Sequence, residues 1–277
     1  MKTPLIEFKN VTKCFGKNTV LERANFAIYE NEITTIIGKS GTGKSVLLKH
    51  IIGLLTPEEG DILINGESIY GMSRKKWETC RTRISYMFQN NALFDSMTVF
   101  ENIALPLSQT TNLTKTVIEQ KVVSRIKQME LVDVAHKYPS ELSGGMQKRV
   151  ALARALITDP TTVLFDEPTT GQDPVRRNLI LSMIARYKKQ FGFTAVLISH
   201  DIPDIFYISD RILILWERKV DFQGTFEELS NFDHPLMHEF KDSIAELSDE
   251  LTGEHSGNML RSRYDVTTCT VKEVESL

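Results

Sequence analysis

Apolar and polar residues alternate with a period of two from residue 5 to residue 30, interrupted by a turn at Phe15-Gly16. That period gives each segment one face for a core and predicts a short antiparallel sheet. The run EITTII at 32–37 predicts a β-branched strand that ends directly on glycines. The period then changes. Leu47, Leu48, Ile51, Ile52 and Leu55 recur at spacings of three and four, which places them on one face of a helix over 45–55. Strand character returns at Asp61 to Ile64 and meets Asn65-Gly66, a pair suited to a hairpin turn.

Strand signals are scarce from about residue 90 to residue 157, and helical spacing takes over. Val122, Ile126 and Met129 share one face of an otherwise polar stretch over 115–131. This reads as a helical insertion. Strands resume at 162–165, 194–198 and 211–216, and strands alternating with helices predict a largely parallel α/β sheet. Thr225 and Glu228 then fit a capping box. Leu236, Phe240, Ile244, Leu247 and Leu251 follow at helical spacing, and periodicity is lost afterwards. The expected organisation is one domain over 1–232 with an insertion at about 90–157, a helical extension over 233–251 and a flexible tail over 252–277.

Composition narrows the class. Of 277 residues, 41% are hydrophobic and 25% charged, which fits a globular domain rather than a disordered chain. The net charge is -3 and the cations are scattered, so no nucleic-acid partner is expected. Cys14, Cys80 and Cys269 are far apart and form no CxxC pair, which argues against a zinc site or a disulfide framework. The opening MKTPLIEFKN lacks the apolar stretch of an export signal. No run approaches the roughly 20 apolar residues that cross a bilayer. Any membrane role is therefore expected to come through a partner.

Gly38-Lys39-Ser40-Gly41-Thr42-Gly43-Lys44-Ser45 matches G-x-x-x-x-G-K-[ST] between a predicted strand and a predicted helix. Glycines let the backbone curl until its N–H groups face phosphate oxygens, and the helix adds its positive end. Lys44 supplies a charge for the terminal phosphates, and the Ser45 hydroxyl can ligate Mg²⁺. Further on, Thr162 to Phe165 form an apolar strand that ends in Asp166-Glu167. Ligands bind beyond the carboxyl ends of parallel strands, so Asp166 is expected to hold Mg²⁺ and Glu167 to act as general base on water.

Leu142-Ser143-Gly144-Gly145-Met146-Gln147 precedes those acids. A Ser-Gly-Gly start to a helix leaves backbone amides free for an anion. The stretch resembles the LSGGQ signature of ABC-type ATPases, with Met146 where glutamine is usual. Other residues follow in that family's order: Gln89 after a strand, Gly171-Gln172-Asp173 after the acids, His200 at a strand end, and Phe15 before the phosphate loop. Gln172 stands where a hydrophobic residue is commoner.

The resemblance covers roughly residues 5–230. It implies a P-loop NTPase fold with a largely parallel central sheet, an N-terminal antiparallel β subdomain and an inserted α-helical subdomain. It also implies ATP and Mg²⁺ as ligands, and a head-to-tail pair of chains. Nucleotide is expected against Phe15, Gly38, Lys39, Ser40, Gly41, Thr42, Gly43, Lys44, Ser45 and Val46 of one copy. Ser143, Gly144, Gly145, Met146 and Gln147 of the second copy complete the site. Metal falls to Ser45, Gln89 and Asp166, and catalysis to Glu167, His200, Gln89 and Lys44.

Phe88 to Val99, Val46, the LSGGM signature and Gly171-Gln172-Asp173-Pro174 resemble the Mla/MCE-type, phospholipid-trafficking branch. That branch implies permease subunits, an MCE-domain lipid-binding protein and a place on the cytoplasmic face of the inner membrane. Three alternatives stay open: an importer of polar solutes, a regulatory ATPase of the cell-division type, and a soluble repair or translation protein. The last is disfavoured because the chain has one cassette and no long coiled coil.

Overall fold

The computed structural model of the chain describes residues 2–200, 202, 204–238, 264, 265, 270 and 271. Strands β1 (Pro4–Phe15) and β2 (Asn18–Tyr29) pair antiparallel around the Phe15-Gly16 turn. With β4 (Glu59–Ile64) and β5 (Glu67–Ser68) they form an antiparallel sheet in the order β2-β1-β4-β5.

The second sheet holds the centre of the fold. It comprises β3 (Ile33–Ile37), β6 (Ile84–Met87), β7 (Thr162–Asp166), β8 (Thr194–Ile198), β9 (Arg211–Trp216) and β10 (Lys219–Gly224). Their order is β10-β9-β3-β8-β7-β6, parallel throughout except for β10 at the edge.

Side chains of the central strands divide two cores by strict alternation. Ile33, Ile37, Val163, Phe165, Ala195, Leu197, Ile212 and Ile214 face one core. Ile36, Leu164, Val196, Ile198, Leu213 and Leu215 face the other. A parallel sheet buried on both sides needs this uninterrupted apolar sequence. The first face carries α3 (Val99–Thr110), α4 (Lys115–Gln128), α5 (Gly144–Leu156) and α6 (Pro174–Phe191). The second carries α1 (Lys44–Ile51) and the antiparallel sheet. Val122, Ile126 and Met129 are buried, as their spacing predicts.

Helix α2 (Arg74–Arg81) has no buried residue and a strongly polar sequence, so hydrophobic periodicity does not announce it. The Thr225–Glu228 capping box is present and opens α7 (Phe226–Ser230). Leu236 packs on the first core, while Phe240, Ile244, Leu247 and Leu251 lie outside the described residues. So does most of 252–277, apart from Tyr264–Asp265, which pairs antiparallel with Thr270–Val271.

Candidate functional site

The strand order determines what meets. Gly38 follows β3, His200 lies just beyond β8, Asp166 and Glu167 end β7, and Gln89 lies just beyond β6. Because β3, β8, β7 and β6 are successive neighbours and parallel, these residues leave the sheet along one edge, in that order. That edge is the carboxyl end, where α/β sheets bind ligands.

The loop 38–45 is shaped by close backbone approach. A Cβ on Gly38 would lie 2.3 Å from the Leu215 carbonyl oxygen. One on Gly43, at φ +100°, would lie 2.5 Å from Val20. Any side chain at either position would force the loop open. Gly43 also caps α1, so no side chain occupies the first-turn N–H groups, and that turn carries no acid. The positive helix end is left for an external anion. Lys44 is buried, and its ammonium donates to the carbonyls of Gly38 and Lys39, both at 2.9 Å. Burial lowers its pKa, against the opposing pull of Glu167 and Asp166. Its hydrogen bonds among the described residues go to carbonyls and none to a carboxylate, so no described carboxylate is a direct counterion to its charge.

Ser45 Oγ donates to Asp166 Oδ1 at 2.8 Å, joining two of the three expected metal ligands. Tyr86 Oη donates to Asp166 Oδ2 at 2.6 Å. Burial, then the hydrogen bond and charge of Asp166, push the Tyr86 pKa far up, so the phenol stays a donor. Glu167 holds φ +48°, a left-handed conformation disfavoured for a residue with a side chain. Its N–H bonds the Ile198 carbonyl and its carboxylate accepts from Thr170 Oγ1 at 3.0 Å. His200 Nδ1 is 3.9 Å from Glu167 Oε2, within charge reach and beyond hydrogen bonding. Strained backbone of this kind concentrates at functional sites.

Phe15 is half exposed at the tip of β1, with the Lys13 ammonium 5.3 Å from its ring centroid. Gln89 is exposed, and its backbone carbonyl is held by Lys148 of α5.

The predicted signature residues lie elsewhere on the surface. Ser143 caps α5 by accepting from the Met146 N–H. A Cβ on Gly144 or Gly145 would meet nothing within 4 Å. The Gln147 amide is engaged with the Pro139 carbonyl of its own chain. Ser143, Gly144, Gly145 and Met146 line a cleft of about 510 Å³ together with Gln172 and Arg176, and no residue of 38–46 lines it. Residues 38–46 and residues 143–146 thus line different parts of the surface.

Sequence reasoning missed Tyr86, Thr170, Lys148 and Arg154. Tyr86 becomes visible only once β6 is paired with β7 so that Tyr86 lies opposite Leu164, two residues before Asp166.

Residues 21–170 match the family described as "ABC transporter". The chain is 40% identical over 229 residues to the "Intermembrane phospholipid transport system ATP-binding protein MlaF" of Haemophilus influenzae, covering 83% of this chain and 87% of that one. It is 37% identical over 235 residues to the "Probable ribonucleotide transport ATP-binding protein mkl" of Mycobacterium leprae, covering 85% and 68%. Among solved structures, a dimeric ATP-binding cassette, MJ0796, bound to ADP and phosphate in a post-hydrolysis state superposes with TM-score 0.69 at 31% identity. That match covers 79% of this chain and 98% of the cassette.

Proposed function

The chain belongs to the ABC transporter family, and we propose that its ATP hydrolysis drives phospholipid movement between membranes. It is an ATPase that dimerises and works with a membrane permease. Among the described residues no helix is long and apolar enough to cross a membrane.

The observation that carries the site reading is the junction of Ser45 and Asp166 at 2.8 Å, beneath a glycine loop whose lysine has no direct carboxylate counterion among the described residues. Triphosphate fits this place. The loop amides, the α1 end and Lys44 receive its charge. Mg²⁺ fits beside it, held by Ser45, Asp166 and Gln89. No three His, Cys, Asp or Glu side chains gather among the described residues; phosphate and water oxygens would complete the ligand set. Bound Mg²⁺ supplies charge neutralisation on the phosphate oxygens.

Glu167 takes a proton from water as the water oxygen bonds the γ-phosphorus and the bond to ADP breaks. Thr170 and the strained backbone aim the Glu167 carboxylate, and His200 flanks it. Ser143, Gly144 and Gly145, with Met146 and Gln147 behind them, complete the site of a second copy. Phe15 stacks on the base, and Val46 continues the loop into α1.

A cleft of about 400 Å³ lined by Tyr86, Phe88, Phe94, Leu105, Pro106 and Arg154 suits an apolar element of the permease, with Phe88 and Phe94 about half exposed. On this reading the chain works on the cytoplasmic face of the inner membrane, with an MCE-domain lipid-binding protein as the further partner. The lipid assignment rests on similarity to MlaF and on the LSGGM and Gly171-Gln172-Asp173-Pro174 segments. The likeness to mkl supports a second reading, a permease for a polar solute. Isolation of the chain with its native membrane partners separates the two. Co-purified permease, MCE-domain protein and phospholipid are expected. A solute-type permease without lipid would overturn the lipid reading and leave the ATPase site untouched.

A further inference from the structure

We propose that Lys148 and Arg154 of α5 are positioning residues. They clamp the loop that carries Gln89 to the helix whose N-terminus carries Ser143, and so couple one nucleotide site to the other. The proposal rests on the reading above that Gln89 senses nucleotide and that 143–145 serve a second copy.

Three carbonyls of one short loop are held by two cations. Lys148 is 4% exposed, and its ammonium donates to the Gln89 carbonyl at 2.9 Å. The Arg154 guanidinium forks to the carbonyls of Asn91 and Ala92, both at 2.7 Å. Burial pulls both cations' pKa values down, with no carboxylate opposing it.

The loop they hold is not one that relaxes into this shape. Asn91 and Ala92 sit at φ +60° and +48°, two consecutive left-handed residues with side chains. The Asn91 side-chain oxygen is buried without a hydrogen-bond partner. Such a conformation persists only where its surroundings over-determine it, and the two cations do so.

The consequence is mechanical. Lys148 lies one turn beyond Gly144, so a shift of the Gln89 loop is carried into the start of α5. That start lines a cleft that none of residues 38–46 reaches. A movement sensed at this chain's own nucleotide therefore emerges where the second copy's nucleotide is capped.

A purely structural role makes the opposite prediction about stability. A buried ammonium facing one carbonyl is costly to desolvate, and Gln89 is exposed enough for water to take over that carbonyl. Lys148→Met keeps the stem and removes the charge. The test uses the full-length chain in its membrane complex, with Lys148→Met, Lys148→Arg, Gln89→Ala and the Gln89→Ala/Lys148→Met double variant.

Lys148→Met is expected to lower kcat by about ten- to hundredfold, the scale of misplacing a group by an ångström. Mg-ATP affinity stays within about twofold, Tm is unchanged or higher, and Lys148→Arg restores most of the turnover. In the Gln89→Ala background Lys148→Met adds no further loss, because nothing remains to transmit. Arg154→Gln speeds amide exchange over 89–94 and leaves the P-loop unchanged. Additive losses in the double variant would overturn the proposal. So would a fall in Tm that accompanies the fall in kcat, or unaltered exchange over 89–94. Normal kcat in Gln89→Ala alone would instead reject the site reading beneath it.

Discussion

Tyr86→Phe removes one hydroxyl from the site and leaves the ring. The lost bond is a 2.6 Å O–H to carboxylate contact, at the short, charge-assisted end of the range. Such bonds contribute about 1.5–3 kcal/mol. Asp166 keeps its Ser45 partner, and both Tyr86 and Asp166 are only partly buried, so water can replace part of the loss. The lower figure applies, about 1.5 kcal/mol, or roughly tenfold in an equilibrium constant. The loss falls on the metal ligand and spares the phosphate loop. Affinity for ATP measured in EDTA should stay within about twofold of the wild type. The extra affinity gained on adding Mg²⁺ should shrink by about tenfold, the low end of what losing a hydrogen bond behind a metal ligand costs. An undiminished Mg²⁺ gain would refute the argument. A parallel fall in both affinities would refute it too, by showing that Tyr86 merely supports the fold.

The remaining predictions concern catalysis, the second copy and acid stability. Glu167→Gln should retain Mg-ATP binding and slow turnover by about 10²–10⁴-fold; near-normal turnover would reject Glu167 as the base. Ser143→Arg should abolish hydrolysis while leaving nucleotide affinity of the chain intact, since Ser143 lies on a surface apart from residues 38–46; unchanged activity would argue against a site shared between copies. Glu32 is almost buried, and although burial pushes its pKa up, hydrogen bonds and charges of Lys2 and Arg211 outweigh this and hold it below its ordinary value of 4.5. A depressed carboxylate adds stability that is present above the unfolded pKa and is lost as pH falls through the folded one. Glu32→Gln should therefore be less stable than wild type in denaturant titrations at pH 7, with the gap closing below about pH 4.5; a gap of equal size at pH 3 would disprove the pairing.

How far the sequence could be read depended on the range of the interaction. Local patterns carried the central strands, because a sheet buried on both faces needs unbroken apolar runs, and 194–198 and 211–216 have them. The Thr225–Glu228 cap was legible because its bonds close within three residues. Helix α2 was not, since all its residues lie at least partly in water and its start depends on Ser73 bonding the Lys76 N–H. The glycine loop, the two acids and the signature segment could be assigned by residue type. The bonds among them could not. Ser45 to Asp166 spans 121 positions and depends on the β3-β8-β7 order, while Tyr86 to Asp166 spans 80 and requires the β6-β7 register. Lys148 and Arg154 looked like surface cations, because nothing local reveals that a strained loop some sixty residues earlier folds against them.

On the proposed reading, the charge arrangement explains why one chain does not close its own site. Helices α1 and α5 both begin on glycine or serine, and neither carries an acid in its first turn. Each presents an uncompensated positive end, and in one chain the two ends open on different surfaces. A two-fold pair solves this symmetrically, because every P-loop can meet the other copy's signature and two equivalent sites arise from one interface. On the proposed reading, the γ-phosphate is then the anion between two positive helix ends. While it is bonded to ADP, its charge is fixed in place and attracts both. Once it leaves, the ends face each other without it, and the same geometry that drew the copies together favours their separation. Hydrolysis thereby acts on the interface through electrostatics, and Glu167 sets the time for which the closed pair persists.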